Sequence, residues 1–111
     1  MTLVSWTNKQ FSLKESINYQ SGSVVSKEIL KSSSGNITLF AFDKNQGLSE
    51  HQAPFNAFVL ILEGKAEVTV EGVKNYLKEG EMILMPANKT HALKAPQKFK
   101  MLLIMIRSES Q

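Results

Sequence analysis

The 111-residue chain is 42% hydrophobic and 21% charged, a composition typical of a folded globular domain and not of a disordered segment. The absence of cysteine excludes disulfides, zinc–thiolate sites and a cysteine nucleophile. Thirteen basic and ten acidic residues give a formal net charge of +3, but the basic residues are scattered lysines with a single arginine, Arg107. Nucleic-acid binding surfaces are clustered and rich in arginine, so we predict no nucleic-acid partner.

The chain is predicted to stay in the cytoplasm. Its longest apolar run, Met101 to Ile106, is far shorter than the roughly 20 residues of a membrane-spanning helix. The first ten residues lack the basic and apolar regions of a secretion signal. We therefore expect a soluble cytoplasmic protein with no membrane partner.

Residues 1–23 are predicted to form an N-terminal extension, followed by a single domain over residues 24–111. Ser12 and Glu15 have the spacing of a capping box, which predicts a short helix within residues 12–20. An edge strand is the alternative.

From Val24 onward the sequence favours β-strands separated by short turns. The predicted strands cover residues 24–31, 36–43, 57–64, 65–72, 73–78, 81–86, 90–95 and 99–107. Turns are predicted at Glu63–Lys65 and Glu71–Gly72, and Pro86 should end its strand because it has no N–H group to donate. About eight short strands at this spacing indicate an all-β sandwich or barrel.

The last predicted strand, "FKMLLIMIR", does not alternate between apolar and polar residues. A strand that is apolar on both sides must bury both of them, one inside the barrel and one against another surface. Its outer side could be covered by the N-terminal segment or by a second subunit. Both alternatives remain open from the sequence.

The stretch "GEMILMPANKTHALKA" resembles the second motif of the cupin superfamily, G-x5-P-x-G-x2-H-x3-N. Gly80, Pro86 and His91 match the motif. Asn88 replaces its second glycine, a mild departure because asparagine tolerates the left-handed backbone conformation. Ala95 replaces its final asparagine.

The stretch ending in "EHQAPFNAFVLILEG" resembles the first cupin motif, G-x5-H-x-H-x3,4-E-x6-G, in part. His51 and Gly64 match the first histidine and the closing glycine. Asn45, Ala53 and Ala57 replace the opening glycine, the second histidine and the glutamate. Two of the positions that ligate metal in cupins therefore hold methyl groups.

Together these stretches resemble a small single-domain cupin of the conserved-barrel type. The resemblance implies an antiparallel double-stranded β-helix, or jelly-roll barrel, which is often dimeric and has a pocket inside the barrel. It implies that His51 and His91 share that pocket, with Asn56 as a candidate third polar group. In metal-binding cupins such positions hold Fe, Mn, Ni, Cu or Zn; here they would form a weak two-histidine site at most.

These residues predict a small-molecule binding protein with a degenerate metal site. A first alternative is a metal-dependent enzyme of the dioxygenase or isomerase type that uses His51 and His91. A second alternative is a non-catalytic dimeric sensor or partner protein, suggested by the strand that is apolar on both sides.

Overall fold

The computed structural model describes residues 6–109, which form eight antiparallel strands and one turn of 3₁₀-helix, Lys14–Ser16. The strands are β1 Val24–Ser32, β2 Gly35–Phe42, β3 Gly47–His51, β4 Phe55–Val70, β5 Val73–Lys78, β6 Met82–Met85, β7 His91–Lys94 and β8 Phe99–Arg107. Within residues 6–109, no helix is long and apolar enough to cross a membrane. The all-β prediction is confirmed.

The sheet is continuous in the order β1-β2-β8-β4-β7-β3, and β5 and β6 also pair with β4. The first part of β4 lies between β8 and β6, whereas its last part pairs with β5 and β7. The long strand thus joins two layers, and the sheet curls around the core between them. This architecture confirms the predicted cupin jelly-roll barrel.

The prediction of two strands separated by a turn at Glu63–Lys65 is wrong. Residues 55–70 form one strand of 16 residues, which bends where its pairing with β8 gains an extra residue between Ile61 and Glu63. Gly64 lies at this bulge with a φ of +83°. A glycine next to charged residues is typical of a turn, but it is equally suited to a bulge.

Strand β3 lies in a stretch where the sequence predicts no strand. It has five residues, of which only Leu48 is not exposed to solvent. A strand with so little apolar character gives no alternation to detect. It nevertheless carries His51 and lies at the edge of the sheet next to β7.

Side chains from both layers fill the centre of the barrel. The buried core cluster consists of Phe42, Ala57, Val59, Ile61, Ala66, Val68, Leu77, Met85, Leu93, Ala95, Phe99 and Met101. The rings of Phe42 and Phe99 stack with their centroids 4.5 Å apart and 10° between their planes.

The N-terminal segment packs on the outside of the barrel. Ile17 is buried there against the outward-facing Leu39 of β2, with Leu102 of β8 at the edge of the same cluster. The Tyr19 hydroxyl donates a 2.6 Å hydrogen bond to Glu63 Oε2. Burial and this carboxylate raise the pKa of Tyr19, so its hydroxyl stays protonated. Lys100 Nζ anchors the segment further by donating to the carbonyl oxygen of Lys14 at 2.6 Å.

The outer side of β8 is therefore covered only in part. The N-terminal segment packs at Leu102, whereas Ile104 is half-buried and Ile106 remains 61% exposed. Of the two predicted alternatives, covering by the N-terminal segment is therefore present at one end of β8.

Candidate functional site

The two histidines meet where β3 ends and β7 begins. His51 and His91 are cross-strand partners, and their Nε2 atoms lie 3.0 Å apart. The ring planes are 71° apart and the centroids are separated by 4.2 Å. Residues 40 positions apart in the sequence thus form one compact pair of imidazoles.

A β-bulge produces this pairing. Leu48 opposes Leu93, and His51 opposes His91, so β3 has one more residue than β7 between these two pairs. In a regular ladder Glu50 would face His91 instead. The extra residue therefore exchanges an imidazole–carboxylate pair for an imidazole–imidazole pair.

Both Nδ1 atoms already have partners, which fixes the chemistry of the Nε2 atoms. His51 Nδ1 lies 2.7 Å from the carbonyl oxygen of Ser49, and His91 Nδ1 lies 3.2 Å from that of Lys89. A carbonyl oxygen only accepts hydrogen bonds, so each Nδ1 carries a hydrogen. Each neutral ring then presents a lone pair at Nε2, and two lone pairs 3.0 Å apart repel unless one proton lies between them. A hydrogen bond between the two Nε2 atoms therefore needs a hydrogen on one of them.

The two rings differ in exposure. His91 is 8% exposed, whereas His51 is open to solvent. Val70, the β4 partner of His91, is half-buried and packs against the barrel core. The pair thus lies at the rim of the barrel, with solvent on one side and apolar side chains on the other.

Burial, together with the nearby His51, holds the pKa of His91 below its ordinary value. The unfolded chain, in which the histidine pKa is about 6.5, therefore takes up this proton at a higher pH than the folded chain does. The contribution of His91 to stability is complete above about pH 6.5 and is lost as the pH falls through the lower folded-state pKa.

We expect the thermal unfolding midpoint to fall over this range, and to fall less in His91→Gln. Circular dichroism melting curves at stepped pH would measure both slopes, and equal slopes would contradict this assignment.

Asn56, the predicted third polar group, has another role in the structure. Its side chain is exposed, and Oδ1 accepts a 3.0 Å hydrogen bond from the backbone N–H of Ala87. The backbone N–H of Asn88 in turn donates to the carbonyl oxygen of Ala53 at 2.8 Å. These bonds fasten the loop between β6 and β7 to the start of β4 and to the loop that precedes it, so Asn56 helps to position the chain that leads into His91.

Asparagines occupy two of the four glycine positions of the cupin motifs, and both adopt the left-handed conformation. Asn88 has a φ of +64° and Asn45 a φ of +71°. Asparagine adopts this conformation more readily than other non-glycine residues. The backbone geometry of the motif glycines is therefore kept where the residues differ.

The donor set fits a resident metal centre poorly. Among residues 6–109, no group of three or more histidine, cysteine, aspartate or glutamate side chains is placed to hold a metal ion. In this described range His51 and His91 alone converge, and the motif positions at Ala53 and Ala57 supply methyl groups. Structural and catalytic transition-metal sites are built from three or four protein ligands. These residues thus lack the ligand set of a metal cofactor.

A surface groove of about 380 Å³ lies beside the rim, along β3, β7 and the loop that precedes β3. Gly47, Leu48, Glu67 and Lys94 are among the residues that line it, and neither histidine is. The histidine pair and this groove are therefore separate features of the same edge of the barrel.

Comparison with known proteins agrees with this architecture. The cupin domain family matches residues 38–107. A crystal structure of a conserved Streptococcus pyogenes protein of unknown function is similar with a TM-score of 0.91 and 31% identity, covering 99% of this chain and 98% of that one. A cupin superfamily protein from Desulfitobacterium hafniense has a TM-score of 0.86 and 29% identity over 91% of this chain and 93% of its own.

An uncharacterised protein of Aquifex aeolicus is 29% identical over 93 residues, which cover 82% of this chain and 77% of that protein. Neither this relative nor the two solved structures carries an activity in its description. The family match spans both histidines and six complete strands, from β3 to β8. The chain belongs to the cupin domain family.

Proposed function

We propose that this protein binds a small molecule with a carboxylate, hydroxyl or similar oxygen-rich group, which the His51–His91 pair holds at the rim of the barrel. The observation that carries the proposal is the 3.0 Å contact between the two Nε2 atoms while both Nδ1 atoms are hydrogen-bonded to the backbone. The backbone hydrogen bonds fix the direction of each ring, so the two Nε2 atoms point towards each other.

The pair is chemically matched to oxygen. A ligand oxygen that enters between the rings would replace the contact between the two Nε2 atoms: an Nε2 that carries a hydrogen donates to it, and an Nε2 without one accepts from it. A carboxylate accepts from the first, and a hydroxyl can donate to the second. Because His51 is exposed, its ring can be reached from solvent without opening the core. The adjacent half-buried Val70 supplies an apolar surface for the remainder of the ligand.

The proposal can be tested with carboxylate and amide probes of equal shape, such as acetate and acetamide, added to protein with ¹⁵N-labelled histidine. We expect acetate to shift the His51 and His91 ring resonances in a saturable manner and acetamide to have much less effect. Removing both rings in His51→Ala/His91→Ala should weaken acetate binding, measured by calorimetry, at least about 10-fold, since hydrogen bonds to charged groups contribute about 1.5–3 kcal/mol. Tyr76→Ala, on the 67% exposed side chain of β5, should bind like the wild type.

The metal-dependent enzyme hypothesis makes the opposite prediction. In that case the dialysed protein would bind one equivalent of Fe, Mn, Ni, Cu or Zn at submicromolar affinity, and the double histidine variant would lose it. A saturable metal titration of that kind, together with unshifted histidine resonances in acetate, would contradict the proposed function.

A further inference from the structure

The groove beside β3 is lined by two opposite charges that are not paired with each other. Glu67 of β4 and Lys94 of β7 are cross-strand partners, and both line the groove. Within residues 6–109, neither side chain takes part in an ion pair or a hydrogen bond. In the same range, three uncharged polar side chains along the groove also lack a hydrogen-bond partner, those of Asn45, Gln46 and Ser49.

Gly47 keeps the groove open next to these charges. Lys94 pairs with Glu67 on one side and with Gly47 on the other, so two charged residues are followed by a residue without a side chain. An added Cβ at Gly47 would press against the carbonyl oxygen of Leu93 and lie 3.3 Å from the Cα of Lys94. Both are backbone atoms of β7, so a side chain could enter here only if β3 and β7 separated.

The two charges restrict the kind of molecule that suits the groove. Lys94 attracts an anion that Glu67 repels, and the opposite holds for a cation. An uncharged molecule leaves both groups without a partner. A molecule with one ammonium and one carboxylate group matches both. In an α-amino acid these two groups are bonded to one carbon, a spacing comparable to the roughly 5 Å between the Cα atoms of cross-strand partners.

We infer that the groove binds a free α-amino acid, with its ammonium group at Glu67 and its carboxylate at Lys94. The amide groups of Asn45 and Gln46 can donate to the carboxylate or accept from the ammonium group. An aliphatic amino acid suits the site best, because apolar residues also line the groove: Leu48, Leu93, Ala95 and Pro96. Neither histidine lines it, so this site is separate from the histidine pair.

Three probes of similar shape test which charges the groove recognises. L-leucine carries both charges, L-leucinamide lacks the carboxylate, and 4-methylpentanoate lacks the ammonium group. We expect L-leucine to shift the backbone amide resonances of Gly47, Ser49 and Lys94 in the ¹⁵N-labelled protein in a saturable manner. Each of the other probes should bind at least about 3-fold more weakly, a loss typical of one charge pair that is open to solvent.

Substitutions of the two charged residues should each remove one preference. Lys94→Gln should bind L-leucine no better than L-leucinamide, and Glu67→Gln should bind it no better than 4-methylpentanoate. The matched controls are Lys74→Gln and Glu71→Gln, which make the same chemical changes at exposed residues that do not line the groove. Both controls should keep the wild-type preferences. Circular dichroism spectra confirm that each variant is folded before its binding is interpreted.

Equal binding of the three probes by the wild type would overturn the amino-acid site, and so would loss of either preference in a control variant. The folded double variant His51→Ala/His91→Ala distinguishes this site from the histidine pair. It should still show the L-leucine shifts at Gly47 and Lys94. If it loses them, L-leucine is held by the histidines and the groove is not an amino-acid site. If it keeps them while acetate leaves the wild-type histidine resonances unshifted, the proposed function fails and the groove site stands.

Discussion

Replacing Phe99 by alanine should lower the free energy of unfolding by about 3–5 kcal/mol. Phe99 begins β8, is fully buried, and stacks on the equally buried Phe42 of β2 with their centroids 4.5 Å apart. The substitution removes an aromatic ring from between the layers and leaves a cavity, and both effects oppose folding. Urea denaturation followed by circular dichroism would measure the loss from the midpoint and slope of the transition.

Phe11→Ala is the matched control, because it deletes the same ring from a side chain that is 50% exposed. It should change the free energy of unfolding by less than about 1 kcal/mol. A double-mutant cycle with Phe42→Ala would isolate the ring–ring interaction, for which about 0.5–1.5 kcal/mol is expected beyond the area buried. Equal losses in Phe99→Ala and Phe11→Ala would show that the core is not organised around this stack.

The sequence predicts the fold well where strands have a strong apolar pattern. Strands β1, β2, β5 and β8 begin and end within two residues of their predicted bounds, because β-branched and aromatic runs are separated by short polar turns. The exposed strand β3 could not be predicted, since its pairing with β7 depends on backbone hydrogen bonds and not on side-chain burial. Local sequence carries little information about an edge strand of this kind.

The candidate site was predictable in its residues but not in its geometry. The motif spacing identifies His51 and His91 as candidate residues of one site, although the sequence predicts no strand at His51. The bulge that aims His51 at His91 adds one residue to β3, and nothing in "GLSEH" marks it. The carbonyl partners of the two Nδ1 atoms also depend on the folded backbone. The Asn56 side chain accepts a hydrogen bond from the backbone N–H of Ala87, a contact that the sequence does not predict.

Gly64→Ala should lower the free energy of unfolding by about 2–5 kcal/mol, more than the same substitution at a glycine in an ordinary turn of this chain. Gly64 has a φ of +83°, which strains any residue with a Cβ atom. An added Cβ would also press against the carbonyl oxygen of Lys98 and lie 2.8 Å from the Cα of Phe99, both backbone atoms of the facing chain. Backbone atoms cannot rotate away as a side chain can, so β4 and β8 would have to separate at the bulge.

Gly72→Ala separates these two effects. Gly72 has a φ of +80°, and an added Cβ would meet no atom within 4 Å. Only the conformational cost of about 1–2 kcal/mol should remain there. The difference between the two variants in urea denaturation therefore measures the close approach of β8 to the bend of β4. If the two substitutions lower the free energy of unfolding equally, residues 63–65 behave as a free turn. A larger loss of stability in Gly64→Ala means that one continuous strand connects the two layers of the barrel.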